Sequence, residues 1–134
     1  MLTGRCQCDG VQYAGQGEIT ELSHCHCSMC RKLHGAAFVT FAGVGRASFA
    51  WLRGEDLLRT YASSAGTSRF FCGNCGSQLG CVLRSDPDFI YLAMGSVDGN
   101  PVTPPAFHQF IASRAPWFEI NDGLRQYDAG LPDD

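Results

Sequence analysis

Eight cysteines dominate the chemistry open to this 134-residue sequence. Seven of them stand in three tight groups: C-x-C at Cys6 and Cys8, C-x-C-x-x-C at Cys25, Cys27 and Cys30, and C-x-x-C at Cys72 and Cys75. One turn of chain can present two such sulfurs to the same ion, which is what a thiolate-bound metal needs. An even cysteine count also fits a disulfide framework, but neighbours one or two residues apart rarely bridge each other, and such a framework needs an oxidising compartment. Met1–Gly10 (MLTGRCQCDG) lacks the basic start, apolar run and small-residue cleavage site of a secretory leader. The expectation is a cytoplasmic, reduced, zinc-binding chain.

Two sites of different character follow from the spacing. Cys6 and Cys8 together with Cys72 and Cys75 make four thiolates from two knuckles, a closed tetrahedral set with no position left for a substrate. Gly73 and Gly76, beside the second knuckle, are free to take left-handed backbone angles that turn amide groups towards the sulfurs. The central run His24-Cys25-His26-Cys27-Ser28-Met29-Cys30-Arg31 offers only three sulfurs. Three protein ligands and one open position are the arrangement of a catalytic zinc, and an open thiolate-rich site suits a further ligand that is itself a thiol. A coordinated thiol is deprotonated at neutral pH and becomes available as a nucleophile. His24, His26, His34 or Cys81 could instead close this second site, and Cys25, Cys27 and Cys30 could team with Cys72. Cys81 lies in an apolar strand pattern with Leu79 and Leu83, where a buried core thiol is the plain reading. Seven thiolates against two zinc ions leave an excess of negative charge that neighbouring groups must balance, so the second, open site is expected to be the labile one.

The elements that must position these groups are short. The length suits one domain, residues 1–134, and 45% hydrophobic against 17% charged residues is a globular composition. The formal net charge is −3, and the basic set of 10 is scattered, which argues against a nucleic-acid surface. No apolar run is long enough to cross a bilayer. Sixteen glycines and six prolines break the chain into strand-length pieces. Val11–Tyr13 follows the Asp9-Gly10 turn signal, as in a hairpin. Ala36–Val44, Leu57–Tyr61, Thr67–Phe71, Gln78–Leu83 and Phe89–Met94 carry the β-branched and aromatic content of strands, and Ala106–Ile111 and Trp117–Ile120 add two shorter candidates. Ser28–His34 alone reads as helix, with a single turn possible at Gly54–Leu58. The fold class expected is mainly antiparallel β with very little helix.

The order G-x-C-x-C-x-G-V-x-Y from Gly4, C-H-C-S-x-C-R-K-x-H-G from Cys25 and F-C-x-x-C-G from Phe71 resembles the glutathione-dependent formaldehyde-activating (Gfa-like) family. The tail Pro105-Ala106-Phe107-His108, followed by Ser113-Arg114-Ala115-Pro116-Trp117-Phe118, is similar to that family's C-terminal segment, so the likeness runs from about Gly4 to Asp128. Asp9 stands where the family often has Gly, with Gly10 next to it. The resemblance implies an Mss-like β-tent of sheets held by zinc. It places Cys6, Cys8, Cys72 and Cys75 on structural zinc ligands and Cys25, Cys27 and Cys30 on those of a second, catalytic zinc. The activity it implies is condensation of formaldehyde with glutathione to S-hydroxymethylglutathione, formally a carbon–sulfur lyase run in reverse. Because the two combine without a catalyst, a non-catalytic thiol- or metal-binding carrier is the alternative, and a zinc-stabilised interaction domain a third.

An attack on an aldehyde needs a donor for the developing alkoxide, and His26, His34 and His108 are candidates by residue type. Arg31 and Lys32 could meet the carboxylates of a glutathione-like substrate, or simply form the solvated face of the short helix. His34 and His26 could equally be imidazoles beside the knuckle. Trp117 and Phe118 read as core or pocket wall.

Overall fold

A computed structural model describes residues 1–130. Twelve strands and one α-helix follow in the order β1 (Leu2–Arg5), β2 (Gln12–Gly15), β3 (Ile19–Cys25), α1 (Ser28–His34), β4 (Val39–Gly45), β5 (Phe49–Arg53), β6 (Leu58–Ser64), β7 (Thr67–Cys72), β8 (Gln78–Leu83), β9 (Asp86–Ala93), β10 (Val97–Asp98), β11 (Phe107–Gln109) and β12 (Arg125–Gln126). They form a four-stranded sheet, β10-β1-β2-β5, and an eight-stranded sheet, β12-β11-β3-β4-β9-β8-β7-β6. The mainly-β expectation holds. Most neighbours are antiparallel, joined by short turns, but β11 runs parallel to both β3 and β12. No helix among the described residues is long and apolar enough to cross a membrane.

The core lies between the sheets. Leu2 and Tyr13 from the smaller sheet, with Val11 from the turn before β2, pack on Val44, Phe70, Leu79, Ile90 and Leu92 from the larger. Burying each such side chain contributes roughly 1.5–3 kcal/mol before the entropy of ordering it is counted. Phe49 and Trp51 of β5 stack on Tyr13, with ring centroids 5.6 and 5.9 Å away, and Trp51 meets Phe70 edge-on at 5.4 Å. That aromatic seam joins the two sheets.

The α-helix forms over the residues expected. Cys27 caps its start in extended conformation, its Sγ accepting the Cys30 N–H at 3.3 Å. Gly35, at φ +61°, ends it by donating its N–H to the Arg31 carbonyl. Arg31, Lys32 and His34 crowd the last turn, where the carbonyl end of the helix dipole favours cations. Only Cys30 is buried, so the helix serves to place one sulfur. Trp117–Ile120 is no strand but an irregular turn following Pro116. Trp117 is 71% exposed rather than core, while Phe118 packs on Phe38 at 5.5 Å.

Candidate metal centre and thiolate cleft

The two turns that precede β2 and β8 meet. They bring together Cys6, Cys8, Cys72 and Cys75, whose sulfurs all lie within 4.8 Å of one another. Cys6 Sγ and Cys8 Sγ are 3.6 Å apart, and Cys8 Sγ and Cys72 Sγ 3.9 Å. Four thiolates on a tetrahedral zinc at ~2.3 Å have edges of ~3.8 Å, so the donor set fits the ion that its chemistry calls for. Outer contacts already face the sulfurs: the Val11 N–H donates to Cys6 Sγ at 3.2 Å, Asn74 Nδ2 to Cys8 Sγ at 3.3 Å, and Cys75 Sγ lies 3.2 Å from Ser77 Oγ. Such donors orient thiolates and spread their charge. The Ser77 contacts hold the Cys75 thiol down at about 5. Gly76 has the left-handed angle expected, φ +82°. Gly73 does not; its missing side chain instead lets the backbone close on Leu57, whose carbonyl accepts the Gly73 N–H at 2.8 Å.

Cys25 at the end of β3, Cys27 at the helix cap and Cys30 within the first turn form the second group. Cys25 Sγ and Cys30 Sγ are 3.5 Å apart. The Cys27 thiol is held far below its ordinary value by hydrogen bonds from the thiols of Cys25 and Cys30, with help from the Cys30 N–H and the Arg69 charge. This set also fits a thiolate-bound ion, with three ligands from the chain. Cys81 does not join the three sulfurs. It is buried against Cys25, Cys30 and Phe41, where burial pushes its thiol up to about 12. The core-thiol reading therefore describes its place.

The three sulfurs sit in the wall of a cleft of about 540 Å³, whose lining includes Glu21, Phe41, Arg69, Asp86, Tyr91 and Phe110. Arg69 is the group that composition could not point out. It stands in the middle of β7, only 4% exposed, and donates from Nη1 to Cys30 Sγ at 3.3 Å and from Nε to Ser63 Oγ at 3.0 Å. Burial alone would pull its guanidinium down, but the Cys30 hydrogen bond and the thiolate charges outweigh that and raise it. A buried charge is stable only when paired in this way. Tyr91 donates to Asp86 Oδ2 at 2.6 Å, and burial raises its phenol. Phe110 takes a left-handed backbone, φ +58°, rare for a bulky residue and a mark of local constraint.

The other expected residues lie elsewhere. Arg31 spends its Nε on the Ser113 carbonyl at 3.0 Å, and Lys32 is exposed. Neither lines this cleft, and neither do His26, His34 or His108. His34 is half-buried against Phe41; burial, followed by the nearby Arg69 charge, holds its imidazole down at about 4. His26 points to the opposite face of its segment from Cys25 and Cys27, where its Nε2 lies 2.7 Å from His108 Nδ1 and its Nδ1 is buried without a partner. His108 continues to Asp122 at 2.8 Å.

A family model described as glutathione-dependent formaldehyde-activating enzyme matches residues 1–113. A Halomonas elongata protein named "Putative glutathione-dependent formaldehyde-activating enzyme" is 25% identical over 144 aligned residues, spanning 100% of this chain and 90% of its own. An uncharacterized lyase of Schizosaccharomyces pombe is 33% identical over 76 residues, which are 57% of this chain and 53% of that protein. A crystal structure of a Rhodobacter sphaeroides protein superposes with a TM-score of 0.62 at 20% identity, covering 93% of this chain and 98% of that one, and so shares the fold. With three cysteine clusters gathered into one four-sulfur and one three-sulfur group, and the family model spanning most of the sequence, the chain belongs to the glutathione-dependent formaldehyde-activating enzyme family.

Proposed function

We propose that the chain is a carbon–sulfur lyase acting on an adduct of glutathione and an aldehyde, such as S-hydroxymethylglutathione, in either direction. The observation that carries this reading is the group of three thiols in the wall of a cleft beside a buried, thiol-bonded arginine. Cys25, Cys27 and Cys30 would hold the zinc of this site, which supplies Lewis acidity that keeps a bound thiol deprotonated at neutral pH. Cys6, Cys8, Cys72 and Cys75 would hold a second zinc whose contribution is to the fold.

In the condensing direction the glutathione sulfur attacks the aldehyde carbon, a C–S bond forms, and the carbonyl π pair becomes an alkoxide that takes a proton from water. In the lyase direction the hydroxyl loses that proton, the C–S bond breaks and the thiolate leaves. Arg69 is the fixed cation of the cleft and the donor suited to charge building on sulfur or oxygen. Being buried and already held by Cys30 and Ser63, it is in place without reorganisation. Phe41 and Phe110 set an apolar wall beside the sulfurs. Glu21 and Asp86 offer carboxylates to the ammonium group of a γ-glutamyl moiety. The cleft volume of about 540 Å³ lies within the roughly 300–1,000 Å³ usual for small-ligand sites.

The uncatalysed condensation sets the test. Exchange of 13C-labelled formaldehyde between free glutathione and S-hydroxymethylglutathione, followed by exchange NMR, should accelerate in proportion to zinc-loaded protein and return to the background rate with Cys27→Ala. Saturable glutathione binding with no acceleration would refute the lyase reading and leave a thiol carrier.

A further inference from the structure

At the end of β3, the imidazole of His24 and the thiol of Cys25 lie on opposite faces, because neighbouring residues of a strand point to opposite sides. The lyase reading uses only the thiol face. On the imidazole face the parallel pairing of β11 with β3 sets His108 in register with His24, and the two rings approach to 4.6 Å between centroids. Asp122 reaches the same point from the loop before β12. Its Oδ1 accepts the Leu124 N–H at 3.0 Å, which fixes the carboxylate, and its Oδ2 lies 2.8 Å from His108 Nε2. One ligand atom from each of His24, His108 and Asp122 lies within 4.8 Å of the others.

We propose that His24, His108 and Asp122 form a third metal site, of nitrogen and oxygen ligands, which takes a divalent transition ion of the zinc, cobalt or nickel class. Three features support it. First, each imidazole has its other ring nitrogen already held: His24 Nδ1 lies 2.8 Å from Thr40 Oγ1, and His108 Nδ1 lies 2.7 Å from His26 Nε2. Ligating histidines almost always have that second contact, since it fixes the ring and its tautomer. Second, with both Nδ1 atoms engaged the Nε2 atoms are the ones left for an ion beside the carboxylate, and two imidazoles with one carboxylate are a donor set for borderline divalent ions rather than for calcium or magnesium. The ion takes the place of the proton that His108 Nε2 shares with Asp122. Third, the site has an entrance, because His24 lines a second cleft of about 620 Å³ with Phe38 and Thr40, and Asp122 is exposed. Structural zinc sites are closed; three ligands beside a solvent cleft leave positions for water or a substrate.

A His–Asp pair that merely straps the C-terminal segment to the sheet would need His108 and Asp122 alone. The tethered His24 is what distinguishes the two. The experiment uses protein loaded with two equivalents of zinc under reductant, so that the thiolate groups are filled, and then titrated anaerobically with Co2+ while retained zinc is measured. One equivalent of Co2+ should bind with weak visible bands, no intense near-ultraviolet thiolate band, and no loss of zinc. Asp122→Asn and His24→Gln should each weaken that binding more than Thr40→Val, which leaves every ligand in place and should cost ~10–100-fold. Thr40→Val also carries the test if a ligand variant fails to fold. No Co2+ uptake beyond the zinc, uptake with thiolate bands and zinc release, or uptake that all three variants leave unchanged would each overturn the proposal.

Discussion

Replacing Arg69 by Met keeps an unbranched apolar stem, shorter than the arginine side chain, and removes the charge and both hydrogen bonds, to Cys30 Sγ at 3.3 Å and Ser63 Oγ at 3.0 Å. A hydrogen bond to a charged group contributes about 1.5–3 kcal/mol, and 1.4 kcal/mol is a factor of ten, so losing the Cys30 contact should weaken whatever depends on that thiolate by roughly 10–150-fold. Three thiolates on one divalent ion carry excess negative charge, and Arg69 is the buried cation that offsets it. The weakened quantity is therefore zinc affinity at Cys25, Cys27 and Cys30, with the four-sulfur group unaffected. Competition with a coloured chelator should show one of two zinc equivalents released earlier in Arg69→Met, and Arg69→Lys should restore part of the affinity, because it keeps a charge without the planar fork. Equal affinity at the second group in wild type and Arg69→Met, with the variant still folded by circular dichroism, would refute the charge-balancing argument.

Cys72→Ser should cost the folded state as well as one zinc, since that group ties the turns of two sheets, whereas Cys27→Ala should lose one zinc and keep near-native circular dichroism; elemental analysis beside spectra separates them. Leu92 is fully buried between the sheets, and Leu92→Ala should destabilise by about 2–5 kcal/mol, read from the guanidinium midpoint at constant slope. His34 has an ordinary value of 6.5 and is held down to about 4 in the fold, so the unfolded chain takes up its proton first. The stability it contributes is present above pH 6.5 and lost as pH falls towards 4. His34→Gln should therefore lose less stability than wild type between pH 7 and pH 4, and parallel losses would count against a neutral buried imidazole.

Much of this architecture was legible where local chemistry decides. β8 and the helix fall on the residues that pattern and capping indicate, and each cysteine knuckle could be read from spacing alone. Spacing offered Cys6 and Cys8 with Cys72 and Cys75 as one partition among others, and the resemblance to a known family places the same four on one site. β3 escaped notice because Ile19–Cys25 mixes Glu21, Ser23 and His24 with apolar residues. Ser23 is fully buried, its hydroxyl satisfied by Glu21 at 3.0 Å, so a polar letter conceals a core position. Arg69 was missed for a related reason: a charge in a strand reads as solvent-facing until the sulfur that pairs with it is known. The only trace was its place among Phe70, Phe71 and Cys72. Trp117–Ile120 misled in the opposite sense, since aromatic content without a hydrogen-bonding neighbour makes a turn. Asp9 adopts φ +66°, the conformation glycine would take most easily, and shows how a short polar side chain can stand in for glycine at that turn.

β3 lies between β4 and β11 with Cys25 opposite Val39 on one side and Gln109 on the other. A strand that displays sulfur and imidazole on alternate faces cannot slide by one residue without exchanging them. Evolution can therefore trade side chains at these positions one at a time, but a single-residue insertion or deletion within Ile19–Cys25 would bring nitrogen to the thiolate cleft and sulfur to the imidazole face. Length changes that keep both faces as they are fall in the turns, where they leave the phase of that strand intact.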